Sequence, residues 1–383
     1  MKAAIVGAGI GGLTAAIALR QAGVKTTVFE RTGELREVGA GIFLAANAVS
    51  ALGELALADR VLQLGTPASM ASIFTWRGQT LSGVRADELE KRLGAPSAAV
   101  HRADLQGFLL QELGVENVCL GAECSGFEQD GEGVTVAFAD GSEERRDLMV
   151  GAVGLHSTVR VRLFGPEKPR YAGYTAWRAV VEPGRELLPR GTGFESWGRG
   201  ARFGCVHIGG GRIYWFVTRN APEGEKDGPV GSPSGPKAVL TELFGGWHYP
   251  IPDLIDETDE ERIRRDDLYD REPLTGSWGT GRVTLLGDAA HPSTPNLGQG
   301  ACQAIEDAVV VARCLKEVGE TNMSEGVPSA LRRYEDLRRE RTAWIVRGSR
   351  ALGRVGQLEN PFLCRLRDAA LKATPARVQL RQL

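Results

Sequence analysis

The stretch AAIVGAGIGGLTAAIALRQAGVKTTVFER, from Ala3 to Arg31, decides the fold. Ala3 to Val6 is a short apolar run of the kind that becomes a buried parallel strand. Gly7, Gly9 and Gly12 follow it directly in the spacing G-x-G-x-x-G. In that pattern the first glycine permits a tight turn and the second lets backbone approach a pyrophosphate. The third allows close helix–strand packing. Leu13 to Ala22 is rich in alanine and leucine and predicts a helix, with Gly23 placed to end it. Its N-terminus offers unpaired N–H groups and a partial positive charge to phosphate. Thr26 to Phe29 predicts a second strand closed by Glu30, about twenty residues past the glycines, where a carboxylate bonds an adenosine ribose. A carboxylate there repels a 2′-phosphate, so the site suits FAD or NAD rather than NADP. Arg31 stands next to it as a further cofactor-binding candidate.

The second informative stretch is RVTLLGDAAHPSTPNLGQGACQAIEDAVVVARCL, Arg282 to Leu315. Val283 to Leu286 predicts another buried strand, which delivers Gly287-Asp288 at its carboxyl end, where ligands of open α/β sheets sit. Asp288 is placed to accept hydrogen bonds from polyol hydroxyls such as a ribityl chain. Pro295 to Gly300, with Gly298 and Gly300 as cofactor candidates, leads into a helix over Ala301 to Leu315. The dipole of that helix favours an anionic ring above it. Two nucleotide signatures at opposite ends of one chain point to a large cofactor gripped at both ends, hence FAD.

With His101-Arg102-Ala103-Asp104-Leu105 between these two stretches, the chain resembles the single-component FAD-dependent aromatic hydroxylases, the family of para-hydroxybenzoate and salicylate hydroxylases. The resemblance runs along nearly all of residues 1–350. It implies that Arg102 contacts the cofactor, that Asp288 binds the ribityl part of FAD and that Pro295 lies against the flavin. It also implies a NAD(P)H-dependent monooxygenase whose flavin transfers oxygen through a C4a-hydroperoxide, with NADH or NADPH as reductant and O2 as co-substrate. One motif departs from the family. Where relatives read G-A-D-G-x-x-S-x-x-R, this chain has Gly151-Ala152-Val153-Gly154-Leu155-His156-Ser157-Thr158-Val159-Arg160. The family uses that motif for FAD and NAD(P)H, so Val153 removes a polar anchor and leaves a reductase without oxygenation, or a non-catalytic FAD-binding sensor, as alternatives.

The fold class expected is α/β: a Rossmann-like FAD-binding domain with a mostly parallel sheet, an inserted antiparallel-sheet substrate domain and a C-terminal helix. The expected boundaries are 1–66, 101–170 and 262–350 for the FAD-binding domain, 67–100 and 171–261 for the substrate domain, and 351–383 for a helical end. Asn47 to Leu64 reads as one helix, and Arg36 to Ile42 is a stretch the family uses near the flavin. Strand-like segments recur at Tyr174–Val181, Gly193–Trp197, Arg202–Ile208 and Arg212–Thr218, several separated by glycine turns. Arg202, His207 and Tyr214 are candidates for the inner face of that sheet, with Arg178 on the preceding strand. Tyr171 to Trp177 (YAGYTAW) together with the Arg202/Tyr214 spacing resembles the FAD-dependent urate hydroxylases, which implies that the arginine and tyrosine hold a purine. Oxygen transfer of this kind needs an electron-rich small aromatic or heteroaromatic acceptor, and the protein must supply a dry, oriented pocket. His291, near neutral in its unperturbed pKa, is a candidate proton carrier, with a plain turn histidine as the competing reading.

Composition narrows the partners. The chain has 383 residues, 42% apolar content and a net charge of −2, enough for a large core in two interleaved domains and no electrostatic case for nucleic acid or an anionic membrane. Its six cysteines and five histidines show no metal-ligand or C-x-x-C spacing, so no metal is expected. No leader-like segment and no apolar run approaching a membrane span stands in the sequence. A cytoplasmic monomer or homodimer is the expectation.

Overall fold

The computed structural model describes residues 1–35, 40–68, 70–85, 90, 94–318 and 323–374. Its centre is a five-stranded sheet of β1 (Lys2–Val6), β2 (Lys25–Glu30), β5 (Val118–Leu120), β6 (Leu148–Gly151) and β12 (Val283–Leu285). The order is β12-β6-β1-β2-β5, and every neighbouring pair is parallel. The middle strands are buried along almost their whole length, as continuous apolar runs demand when helices cover both faces. The helices α1 (Ile10–Gln21), α2 (Arg102–Leu113) and α4 (Gly300–Lys316) pack around it, and α1 lies against α4. Through that contact the two glycine-bearing signatures, far apart in the chain, share one core.

A second sheet has seven strands: β3 (Met70–Thr75), β4 (Thr80–Arg85), β7 (Arg170–Val181), β8 (Thr192–Trp197), β9 (Ala201–His207), β10 (Ile213–Asn220) and β11 (Arg264–Asp270). Their order is β11-β7-β10-β9-β8-β3-β4, antiparallel throughout except for the parallel pair β8–β3. One face carries a separate core in which Trp177, Phe203 and Trp215 pack on Leu240, Phe244 and Leu254. The other face turns toward the parallel sheet. Short helix α3 (Thr158–Phe164) follows β6, and the chain ends in α5 (Met323–Gly356) and α6 (Pro361–Ala373).

Two expectations change. Asn47 to Leu64 is not one helix but two, Ala46–Glu54 and Ala58–Leu64, separated by Ala56 in the left-handed region at φ 58°. The turn lets Leu55 and Leu57 both bury, which a continuous helix at that point does not. His207 belongs to the outer face of the second sheet, because its odd register puts it with Phe203 and Cys205 rather than with Arg202. Its Nε2 lies 2.6 Å from the Leu188 carbonyl oxygen. Of the stretch Arg36 to Ile42, only Ala40 to Ile42 is described, and residues 375–383 of the C-terminal segment also lie outside the described residues. Among the described residues no helix is long and apolar enough to cross a membrane, and no group of side chains is arranged to hold a metal.

Candidate active site

The carboxyl ends of β1, β2, β6 and β12 open on a cleft of about 560 Å³, within the range of cofactor and ligand sites. Gly7, Gly9, Ile10 and Gly11 line one stretch of it, Glu30, Arg31 and Thr32 a second, and Asp288, Gly300 and Ala301 a third. Two helix N-termini, those of α1 and α4, therefore face one cavity and direct N–H donors and positive dipole ends into it.

The three fingerprint glycines have distinct local reasons. Gly7 has φ 108°, and a side chain there would meet the Ala152 carbonyl. A side chain on Gly12 would fall on the Gly7 carbonyl oxygen, so this glycine sets helix–strand packing and does not itself line the cleft. A Cβ on Gly9 would meet no protein atom within 4 Å and would project into free space beside the helix N-terminus. That leaves open space in which a ligand's phosphates could approach the backbone. The loop is braced from both sides: Ala8 N–H donates to Glu30 Oε2 at 2.8 Å, and Gln106 Nε2 donates to the Ala8 carbonyl at 2.8 Å. The other oxygen of Glu30 accepts from Thr32 N–H and hydroxyl, both at 3.1 Å. Arg31 is exposed at the rim.

At the far end Arg102, the first residue of α2, faces Asp288. Burial and then the nearby Arg178 lower the Arg102 pKa, while Asp288 raises it. Asp288 touches solvent in the open cleft, yet the walls around it raise its carboxyl above the ordinary range, with His291 and Arg102 pulling it back. Pro295 is exposed and starts a short turn whose last residue leads into Gly298 in the left-handed region at φ 63°. Neither lines the cleft; they deliver Gly300, which does.

The departing motif has a visible structural job. Val153 and Gly154 line the cleft. Ser157 caps α3 by accepting from Arg160 N–H at 3.2 Å. The Arg160 guanidinium then reaches across to donate to the carbonyls of Ala289 and Ala290, both at 3.1 Å. The serine and arginine of the motif thus clamp the loop that carries Asp288.

His291 does not face the cleft. Its ring is buried, with Nε2 at 2.7 Å from Asp307 Oδ2, and Arg338 Nε donates to Asp307 Oδ1 at 2.7 Å. Burial works to raise the Asp307 carboxyl, but His291 and Arg338 outweigh it and hold the group down at about 2. The histidine read as a proton carrier is, in this structure, part of a buried ionic cluster beneath the loop.

The inner face of the second sheet closes the site from above. Directly paired antiparallel residues share a face, so register assigns it. Val180, Tyr214 and Val206 form one row, Arg178, Phe216, Gly204 and Glu195 the next, and Thr218, Arg202 and Trp197 a third. Tyr214 abuts Gly41, where a Cβ would lie 2.6 Å from its ring, and burial raises its phenol, with Arg178 opposing. Arg202 is 2% exposed and fully engaged: Nε donates to Gln357 Oε1 at 3.0 Å and Thr218 Oγ1 at 3.3 Å, and Nη2 to Asn296 Oδ1 at 2.5 Å. Arg178, Phe216 and Glu195 of the middle row are half-buried, as are Tyr214 and Val206 of the first, whereas Gly204 and the third row are buried. Sequence reasoning missed Glu195, Phe216, Asn296 and Gln357; strand parity was the signal that could have found the first two.

Known proteins agree with this geometry. A family model described as "FAD binding domain" matches residues 1–174 and 254–349. The chain is 45% identical over 368 residues, 96% of its own length and 93% of the relative's, to an aurachin C monooxygenase/isomerase of Stigmatella aurantiaca. It is 35% identical over 349 residues, 90% of its length and 88% of the relative's, to a FAD-dependent urate hydroxylase of Klebsiella pneumoniae. The crystal structure of Klebsiella pneumoniae HpxO with FAD and uric acid superposes with a TM-score of 0.91 at 32% identity, covering 100% of this chain and 95% of that one. The open cradle at Gly9 and the paired helix N-termini fit a dinucleotide. This chain belongs to the FAD binding domain family, among the single-component FAD-dependent monooxygenases, and FAD is its cofactor.

Proposed function

We propose that the protein uses NAD(P)H and O2 to oxygenate an electron-rich aromatic or heteroaromatic compound held where the inner face of the antiparallel sheet, at Arg178 and Tyr214, approaches the cofactor cleft. One oxygen atom enters the substrate, the other leaves as water, and the reductant supplies two electrons. The observation that carries this reading is the convergence of both nucleotide signatures on one cleft, beside whose Arg102 the antiparallel sheet brings Arg178.

FAD, when bound, accepts the hydride and activates dioxygen. The chain does the rest. Gly9 and the N-termini of α1 and α4 would hold the phosphates and the ring end, Asp288 a polyol hydroxyl, and Arg102 an anionic edge. Arg160 keeps the Asp288 loop in place through two carbonyls. Tyr214, against Gly41, closes the seam between the sheet and the cleft and restricts water. A cationic Arg178 beside the substrate favours its deprotonated, more nucleophilic form.

A relative named for urate widens the substrate range to a purine as well as phenols. The test is anaerobic reduction of the FAD-loaded protein by NADH and NADPH with a panel of phenols and purines, including urate. Bleaching of the flavin band accelerated by one compound, followed in air by a product heavier by one oxygen, is the expected result. Bleaching with reductant consumption but no oxygenated product would instead establish the reductase reading, to which Val153 in the cleft wall lends weight. No bleaching with any pair ends both.

A further inference from the structure

The last helix, α6, turns an apolar face outward. Asn360 caps it, its side chain accepting from the N–H groups of Phe362 and Leu363 at 2.9 and 3.2 Å, and Pro361 opens the first turn. One side of the helix is pinned against the antiparallel sheet at β4. On that side Cys364 is buried, and the Arg367 guanidinium lies 5.3 Å from the Trp197 ring centre and donates through Nη2 to the Gly198 carbonyl at 3.2 Å. These contacts fix which side points away. At about 100° per residue, Phe362, Leu363, Leu366, Ala369, Ala370 and Ala373 fall in a single arc of about 120° turned from the pinned side. All six are exposed, Phe362 by 67%, Leu366 by 58% and Leu363 by 44%. A surface helix ordinarily gives such an arc to its core. This one gives it to the outside, and no polar side chain interrupts it.

Charge decides what can cover the arc. The whole-chain charge of −2 averages an uneven distribution. From Asn360 to Leu383 there are five basic residues, Arg365, Arg367, Lys372, Arg377 and Arg381, and one acidic residue, Asp368. Asp368 is already held, its Oδ1 accepting from Arg367 Nε at 2.9 Å. Arg365 and Lys372, both exposed, line one edge of the arc two turns apart. A second copy seated on the same face would bring the same cations with it, and the helix offers no further carboxylate to offset them. An anionic bilayer satisfies both features. Apolar side chains enter the boundary between headgroups and acyl chains, while arginine and lysine stems lie along it and carry their charges to lipid phosphates. At 13 residues the helix is too short to span a bilayer and long enough to lie on one. We propose that α6 is an interfacial helix that docks the protein on an anionic lipid surface, with Phe362, Leu363 and Leu366 inserted and Arg365 and Lys372 paired with lipid phosphates.

Vesicle sedimentation of the FAD-loaded protein tests this without turnover, so the docking surface and the monooxygenase reading stand or fall separately. Binding to phosphatidylcholine vesicles that contain phosphatidylglycerol should exceed binding to phosphatidylcholine alone by about tenfold at low salt, and the excess should fade in high salt. Phe362→Ser combined with Leu366→Ser should abolish binding to both. These side chains are exposed, so the melting temperature and flavin content of that variant should match the wild type. Arg365→Gln combined with Lys372→Gln should weaken binding to the anionic vesicles about tenfold and leave binding to the neutral ones unchanged. No binding to the anionic vesicles, equal binding to both compositions, or wild-type binding by either double variant overturns the proposal. Sedimentation velocity without lipid covers the other occupant. A dimer that Phe362→Ser with Leu366→Ser converts to monomer would assign the arc to a second copy of the chain, and overturn the proposal as well.

Discussion

At the scale of single residues, neighbouring glycines of one motif make opposite predictions. Gly9→Val places a side chain in free space, so the apoprotein should fold normally and lose FAD; the ratio of flavin to protein absorbance after reconstitution, beside an unchanged melting temperature, checks this. Full flavin occupancy would sink the phosphate-cradle assignment. Gly12→Ala puts its methyl on the Gly7 carbonyl and should cost stability before it costs binding. Val153→Asp restores the family's carboxylate in the cleft wall and should speed anaerobic flavin reduction by NADH or NADPH several-fold; an unchanged rate means that the backbone of the motif suffices. The buried His291–Asp307–Arg338 cluster gives a pH prediction with a definite sign. Asp307 is depressed to about 2 from 3.8, so its contribution is fully present above 3.8 and is lost as pH falls through about 2. That contribution is of order 2 kcal/mol. Urea midpoints of wild type and Asp307→Asn should converge as pH is lowered across that window, and at neutral pH the variant should be less stable by roughly 3–5 kcal/mol because His291 and Arg338 lose their shared acceptor.

At the scale of elements, what was legible depended on whether the determining interaction was local. β1, the glycine turn, α1 and β2 could be read because each follows from the few residues around it. The two-helix break at Ala56 could not, since it is driven by burying Leu55 and Leu57 against distant elements. On the second sheet the strands were found, but the face of each side chain depends on register. Arg202 and His207 were placed together although their opposite parity separates them, one toward the cleft and one toward the outer core. Asn296 and Gln357 carried no sequence signal at all, because their partners lie on other elements: Asn296 joins Tyr174, Thr294, Ser349 and Arg202, and Gln357 joins Arg202, Thr218 and Asn220. Helix α5 reaches these groups only because it presents Gly353 and Gly356 there. A Cβ on Gly353 would lie 2.5 Å from Asn296 Nδ2 and 2.9 Å from the Tyr174 hydroxyl. Gly353→Val should therefore cost about 1–3 kcal/mol and displace the loop that leads into α4, seen as a weaker FAD affinity; a variant as stable and as tight as wild type would show that the helix end has room to retreat.

At the scale of the whole molecule, the question is what keeps a parallel sheet that grips the cofactor and an antiparallel sheet that faces it in one fixed relation. After an earlier excursion through β3 and β4, the chain crosses from one to the other just before β7 and returns just after β11, and these last two crossings meet at Asp270. This carboxylate is 0% exposed and accepts from Arg170 Nε at 2.8 Å, Arg170 Nη2 at 3.1 Å and Arg350 Nη1 at 2.7 Å. It thereby ties β7, β11 and α5 at one point. The arginines are partly exposed, so solvent offsets some of the loss, and Asp270→Asn should cost nearer about 3 kcal/mol than the upper end for a broken buried pair. The distribution of that cost is the informative part. Trp177 and Trp215 report on the outer core of the antiparallel sheet, while flavin release reports on the parallel one. If Asp270 is the coupling point, intrinsic tryptophan fluorescence and flavin fluorescence should melt together in the wild type and separate in Asp270→Asn, with the antiparallel sheet loosening first because its core is the smaller. Coincident transitions in the variant would locate the coupling instead in the hydrogen-bond hub at Asn296 and Arg202, where β9, the loop leading into α4 and α5 also meet.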